Sequence, residues 1–264
     1  AFDYANLNQA ILGQLIEQVT GKRFDIAVQE LVFGPLGIAA CFNWSQCRPG
    51  MAAEGAVLYR KAPSSEGPWN PAGPWVAQVD AARPAPCPVR VAEGQACTLD
   101  TYVPGTNGAL FSPQGGMRIS VSDLVGLGLA LLEHDDFLKP DTRASLFRPV
   151  AVKPPGGGAE TDVKLMQYWS EGGLHCFSGT GAAGSDQPLS PQPLKGCGHL
   201  GNAYGLLSGL VIDPWVGTVV AYAITGTSAP PPPGRQSRFT APEEDLLRGA
   251  ADWLAEHERR ARGN

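Results

Sequence analysis

Residues 198–225 read GHLGNAYGLLSGLVIDPWVGTVVAYAIT. Two segments of this stretch, Leu207–Asp213 and Thr218–Thr225, are dense in Val, Ile, Leu and Tyr, the side chains that pack well on a pleated surface. Between them, Asp213-Pro-Trp-Val-Gly217 supplies turn-forming residues over a five-residue connection, so the two segments are expected to pair antiparallel as a hairpin. Further on, Pro230–Pro233 forms a stiff extended spacer. Thr240-Ala-Pro-Glu243 then opens a helix whose Leu246, Leu247, Ala250, Ala251 and Leu254 share one face. The basic tail after Glu258 is expected to fray.

Upstream of the hairpin the pattern changes from period two to helical spacing. Residues 153–196 read as loop. Ser120 lies three residues before Asp123 in a capping-box arrangement, ahead of Leu124, Val125, Leu127, Leu131 and Leu132, which places a helix there. From about 40 to 110, Pro and Gly are dense and no long periodic segment occurs. Near the start, Leu7, Ile11, Leu15, Ile16 and Val19 recur at helical spacing before Gly21. A second helix follows, with Asp25 as its expected cap, Ala27, Val28, Leu31 and Val32 on one face, and Gly34-Pro35 as its stop. This order predicts one α+β domain over 1–264. Helices and loops occupy about 1–150, and the strands and closing helix of an antiparallel sheet occupy about 195–258.

Bulk properties narrow the partners. The 264 residues are 43% hydrophobic and 17% charged, enough apolar material for a full core. No run of about 18 apolar residues could span a bilayer. Lys and Arg number 20 against 25 Asp and Glu, a net charge of −5, so no basic field exists for a nucleic-acid backbone. Six cysteines can pair in several ways. Short loops cost least entropy to close, which favours Cys41 with Cys47, Cys87 with Cys97, and Cys176 with Cys197. Such bonds imply an oxidising compartment, periplasmic or secreted. The alternative is a set of free thiols in a reducing one. A zinc site is disfavoured, because no Cys-x-x-Cys occurs and Cys197 with His199 leaves tetrahedral positions unfilled.

Three short segments carry chemistry. Phe2-Asp-Tyr-Ala-Asn-Leu-Asn8 resembles the Tyr-x-Asn motif of class C β-lactamases, their esterase relatives and some D-amino-acid peptidases, as does the helix behind it that closes with Phe33-Gly-Pro-Leu-Gly37. Asn107–Asp123 is similar to the stretch preceding a helix in those hydrolases. Gly198-His-Leu-Gly-Asn202, with a hairpin after it, resembles the His-x-Gly version of the Lys-Thr-Gly strand that flanks their active site. Taken singly, Tyr4 reads as a buried aromatic, Asn6 as a helix cap and His199 as a structural imidazole. In this order, they identify the chain as similar to the serine β-lactamase and penicillin-binding-protein superfamily.

The resemblance implies a β-lactamase/transpeptidase-like fold truncated at its N-terminus, with no cofactor and no metal. A serine hydroxyl needs a base to take its proton, and in this superfamily a lysine one helical turn later shares that work with a tyrosine phenol. Tyr4 is the implied phenol, and Asn6 the amide that orients the substrate carbonyl or the lysine. His199 stands for the strand lysine near the leaving group or carboxylate. Gly201 keeps the strand surface open, and the Asn202 backbone N–H is the implied oxyanion donor. No serine in the sequence has lysine three residues later. The Ser-x-x-Lys nucleophile is therefore expected in an N-terminal segment that precedes Ala1, and that fragment is an expected partner. The lost segment is also expected to leave the strands near 207–225 without a neighbour. The expected function is hydrolysis of a small-molecule or peptide ester or amide through an acyl-serine. The alternative is a non-catalytic peptide-binding or regulatory domain.

Overall fold

In a computed structural model, the structure describes residues 5–61, 72–79, 99–133, 136–152, 168–177, 195–227 and 231–262. They belong to two compact units: Leu131–Asn264 with Val57–Gln78, and Asp3–Ala56 with Val79–Ala130.

In the second unit the first apolar period forms α1, Asn6–Thr20, which ends where Gly21, at φ 66°, returns its N–H to the Glu17 carbonyl. The face that packs is the one carrying Gly13 and Glu17. A side chain at Gly13 would meet the Gly108 carbonyl oxygen at 2.8 Å, so backbone packs on backbone there. Leu7, Ile11, Leu15 and Val19, the residues that announce the helix, lie exposed, and only Ile16 of that set packs on the core. Glu17 is fully buried and accepts the N–H groups of Phe24 and Gly105, each at 2.8 Å, and the Tyr102 hydroxyl. Burial and the neighbouring Glu17 push the Tyr102 phenol up to about 12.

The second helix, α2 (Phe24–Val28), differs from expectation at both ends. Asp25 does not cap it: its buried carboxylate accepts the Ser45 hydroxyl at 2.6 Å and pairs with Arg23. The chain also passes Gly34-Pro35, because one π-helical turn over Gln29–Phe33 carries it into α3, Gly34–Leu36, with Pro35 in a first turn that needs no proline N–H. Gly37, at φ 65°, makes the stop. Next in chain order come β1 (Cys41–Phe42), α4 (Met51–Glu54), β2 (Leu58–Lys61), β3 (Trp75–Gln78), β4 (Met117–Arg118) and α5 (Val121–Glu133). Strand β1 pairs with β4, and Phe24, Phe33, Phe42 and Phe111 form the unit's core. The expected capping box opens α5, with the Asp123 N–H on the Ser120 hydroxyl at 3.0 Å.

The first unit is built on a sheet. After α6 (Pro140–Phe147) come β5 (Pro149–Val152), β6 (Tyr168–Ser170), β7 (His175–Cys176), β8 (Cys197–Ala203), β9 (Leu206–Asp213), β10 (Thr218–Ile224) and α7 (Ala241–Arg262). The sheet order is β10-β9-β8-β7-β6-β5, antiparallel throughout. Two strands, β6 and β7, thus lie inside the stretch read as loop. The predicted hairpin is β9–β10, with Asp213 paired to Thr218 and its carboxylate holding the Trp215 N–H at 3.0 Å. Strand β9 has neighbours on both sides, so the expected absence of a neighbour is corrected for it. Strand β10 closes the sheet, and Tyr59 reaches its end by donating to the Thr225 carbonyl at 2.8 Å.

Helix α7 covers one sheet face, and its Leu247 packs with Phe177, Leu200, Val211, Tyr222 and Phe239. It runs on to Arg262 rather than fraying after Glu258. Two buried carboxylates anchor its start. Glu243 accepts the Tyr222 hydroxyl and reaches back to the Thr240 N–H, while Glu244 gathers the N–H groups of Arg235, Gln236 and Ser237. Burial alone would raise the Glu244 carboxyl, and these donors outweigh it, so it sits below the ordinary carboxylate range.

Disulfides join Cys41 to Cys47 and Cys176 to Cys197, as the short-loop argument expected. The pairing of Cys87 with Cys97 lies outside the described residues. Loop-closure entropy assigns a bridge spanning 21 residues about 3 kcal/mol. Replacing both Cys176 and Cys197 with Ala is therefore expected to lower the unfolding free energy of the full-length protein by about that amount, read from denaturant midpoints, with little change in slope.

Candidate active site

The two sides of β8 are unequal. Strand β9 pairs with it from Cys197 to Ala203, whereas β7 pairs only at Gly198 and Cys197. From His199 onward, among the described residues, β8 has a strand on one side alone. In an antiparallel ladder, successive residues turn their N–H and C=O alternately to the two neighbours. The Phe177 N–H donates to the Gly196 carbonyl at 3.0 Å, which sets the phase: residues 196, 198, 200 and 202 turn toward the β7 side. The backbone groups of Leu200 and Asn202 therefore face the side with no strand.

Local sequence explains this geometry. The Leu200 side chain, 4% exposed, is locked into the core under α7, so the strand cannot roll. A side chain at Gly201 would meet the Ser208 hydroxyl oxygen at 2.5 Å, so the serine would have to turn to admit one. After Ala203 the chain reverses at Tyr204 and Gly205, with φ of 56° and 87°, a two-residue turn whose twist suits a hairpin.

His199 is half-buried, and its Nδ1 lies 2.8 Å from the Leu200 carbonyl oxygen. A carbonyl only accepts, so Nδ1 carries the proton and the neutral ring keeps its lone pair on Nε2. Burial lowers the His199 pKa, and the carbonyl contact offsets this only in part. Next to it stands His175, 2% exposed, with ring centroids 5.0 Å apart, and Trp169 lies 3.7 Å from His175 on its other side.

Of the residues singled out from the sequence, His199, Gly201 and Asn202 lie along one strand. Asn6 is the first residue of α1 in the other unit; it is exposed and does not cap, since Ala5 holds the N-cap position with no side-chain bond. Tyr4 lies outside the described residues. Sequence reasoning passed over His175, a single histidine in an apparent loop. The signal that finds it is the favoured Cys176–Cys197 pairing, which sets residue 175 opposite residue 198.

The family model described as beta-lactamase matches residues 1–243. Among solved structures, the chain is similar to a D-amino acid amidase from Ochrobactrum anthropi SV3 complexed with D-phenylalanine, at 18% identity and a TM-score of 0.52 over 86% of this chain and 52% of that one. It is similar to a D-stereospecific amidohydrolase from Streptomyces sp. at 19% identity and TM-score 0.51, over 86% of this chain and 51% of that one. It is also similar to a penicillin-binding protein from Bacillus halodurans at 16% identity and TM-score 0.52, over 95% and 56% of the respective chains. The chain thus spans about half the length of these structures, and at such identities they speak for the fold alone. No curated protein matches it.

The lowered pKa has a measurable sign. Unfolded histidine titrates near about 6.5, above the folded value of His199, so below that pH the unfolded chain binds more protons. The contribution to stability is full above about 6.5 and is lost as pH falls through the folded pKa. Denaturant titrations at pH 7.5 and 5.0 are expected to show a smaller acid loss in His199→Gln than in the wild type; equal losses would mean that the imidazole is not desolvated.

Proposed function

Because this chain belongs to the beta-lactamase family, we propose that it is the strand-bearing part of a serine hydrolase that cleaves an ester or amide through an acyl-serine intermediate. The observation that carries this reading is the one-sided β8, which turns the Asn202 N–H and the Leu200 carbonyl outward where a substrate chain can lie along it.

In the proposed reaction the serine oxygen adds to the substrate carbonyl and its proton passes to a lysine and phenol pair. The oxyanion forms against the Asn202 N–H. The leaving amine or alcohol departs with the proton, and water then repeats the addition on the acyl-serine. Tyr4 supplies the phenol and Asn6 the orienting amide, while the serine and lysine belong to a Ser-x-x-Lys outside these 264 residues. No serine of the sequence is followed three residues later by lysine, which supports that assignment. His199 is neutral at pH 7 with its Nδ1 proton on the Leu200 carbonyl, so it offers a substrate carboxylate no full charge. That favours an ester or amide without a carboxylate, with amino acid amides of the D series as the first compounds to try, over a β-lactam carboxylate.

A further segment of the same protein is the proposed partner. Two surfaces support it: the apolar row Leu7, Ile11, Leu15 and Val19 on α1, exposed to water, and the outer side of β10, which meets only the Tyr59 bridge at Gly226 among the described residues. The bonds Cys41–Cys47 and Cys176–Cys197 support a periplasmic or secreted location.

Two measurements test the reading. The full-length protein is expected to take one fluorophosphonate covalently and to hydrolyse D-phenylalanine amide or p-nitrophenyl acetate; a folded protein that does neither is a binding domain. Asn202→Pro removes an N–H that faces no strand among the described residues, so the protein is expected to fold and to lose kcat by about 100-fold. Asn202→Ala keeps the N–H and is expected to stay near wild type.

A further inference from the structure

His175 sits where β7 gives out. Its side chain is among the most deeply buried of the described residues, in a row of three rings drawn from neighbouring strands: Trp169 on β6, His175 on β7 and His199 on β8. The first pair has centroids 3.7 Å apart, tilted by 58°, and the second 5.0 Å apart, tilted by 59°. Both are in ring contact. Next to His175 in the chain, the Cys176–Cys197 bond fastens β7 to β8. His199 is the first β8 residue with no β7 residue opposite it among the described residues. Its imidazole nonetheless lies over the Leu200 carbonyl, one of the two groups on the open side. An imidazole has two soft side-chain torsions, and free rotation would carry this one off the carbonyl or across the outer edge toward Asn202.

We propose that His175 is a positioning residue: its ring, packed between Trp169 and His199, fixes the His199 imidazole against the Leu200 carbonyl and so keeps the outer edge of β8 open in one shape. The proposal rests on β8 being the strand along which substrate aligns. His175 itself touches no substrate. The contacts that hold His199 are ring contacts, so another flat ring is expected to reproduce them and a branched aliphatic side chain is not.

The test uses the full-length protein with p-nitrophenyl acetate and D-phenylalanine amide as substrates, and the His199 Cε1–H resonance as a probe that needs no turnover. His175→Leu is expected to lower kcat about tenfold with KM within about twofold. It is also expected to shift and broaden the His199 resonance, as two ring orientations replace one. His175→Phe is expected to restore both kcat and the sharp resonance. If His175→Leu does not fold, Trp169→Leu removes the far ring of the row and is expected to change kcat and resonance in the same direction. The proposal is overturned if the leucine variants fold with wild-type kcat and an unchanged His199 resonance, or if His175→Phe falls as far as His175→Leu. A wild type that hydrolyses neither substrate would sink the hydrolase reading alone. The resonance would then decide the proposal: broadening in the leucine variants upholds it, and an unchanged signal ends it.

Discussion

Among the described residues, strand β8 has a strand on both sides where it begins and on one side where it ends, and the candidate site follows from the point at which that change occurs. Strand β7 stops at His175, opposite Gly198, while β9 continues to Ala203. Backbone N–H and C=O groups need partners, and an exposed edge finds them in solvent or in a ligand chain. A strand free on both sides would slip, and one bonded on both sides would offer nothing. Here the bonds to β9 fix the register, and Leu200 under α7 fixes the roll. The outer side carries the Asn202 N–H and a Leu200 carbonyl that already accepts the His199 Nδ1–H, held at the spacing of one pleat.

The chain's buried carboxylates serve a different purpose. Glu17, Asp25, Glu243 and Glu244 all lie below water's reach, and each has its acceptor positions taken by backbone N–H groups, hydroxyls or an arginine. They tie helix ends to loops: α1 to the 99–107 segment, α2 to Ser45, and α7 to the turn before it.

Long and locally signalled elements were legible in the sequence. The α1 stop at Gly21, the Ser120–Asp123 box, the β9–β10 hairpin and the Thr240–Glu243 helix start each have a nearby cause that no tertiary contact overrides. Strands β6 and β7 were not legible, because segments of three and two residues carry no period. On α1 the apolar spacing marks the helix, while the side that docks is a different one. Hydrophobic spacing marks the greasy side, but the helix docks through Gly13 and Glu17, where close backbone approach and three donors outweigh apolar burial. Of the site, His199, Gly201 and Asn202 were readable as a motif. His175 was not, since it acquires meaning only when β6, β7 and β8 are side by side.

The central claim is that the backbone at 200 and 202 receives the substrate. Backbone amide resonances of the full-length protein, followed as phenylboronic acid is added to mimic the tetrahedral adduct, address it directly. The account predicts that the Asn202 amide moves most within β8, with Leu200 next and the inward-turned Gly201 amide little changed. An inhibited protein in which the β8 amides stay in place while shifts gather elsewhere would contradict it.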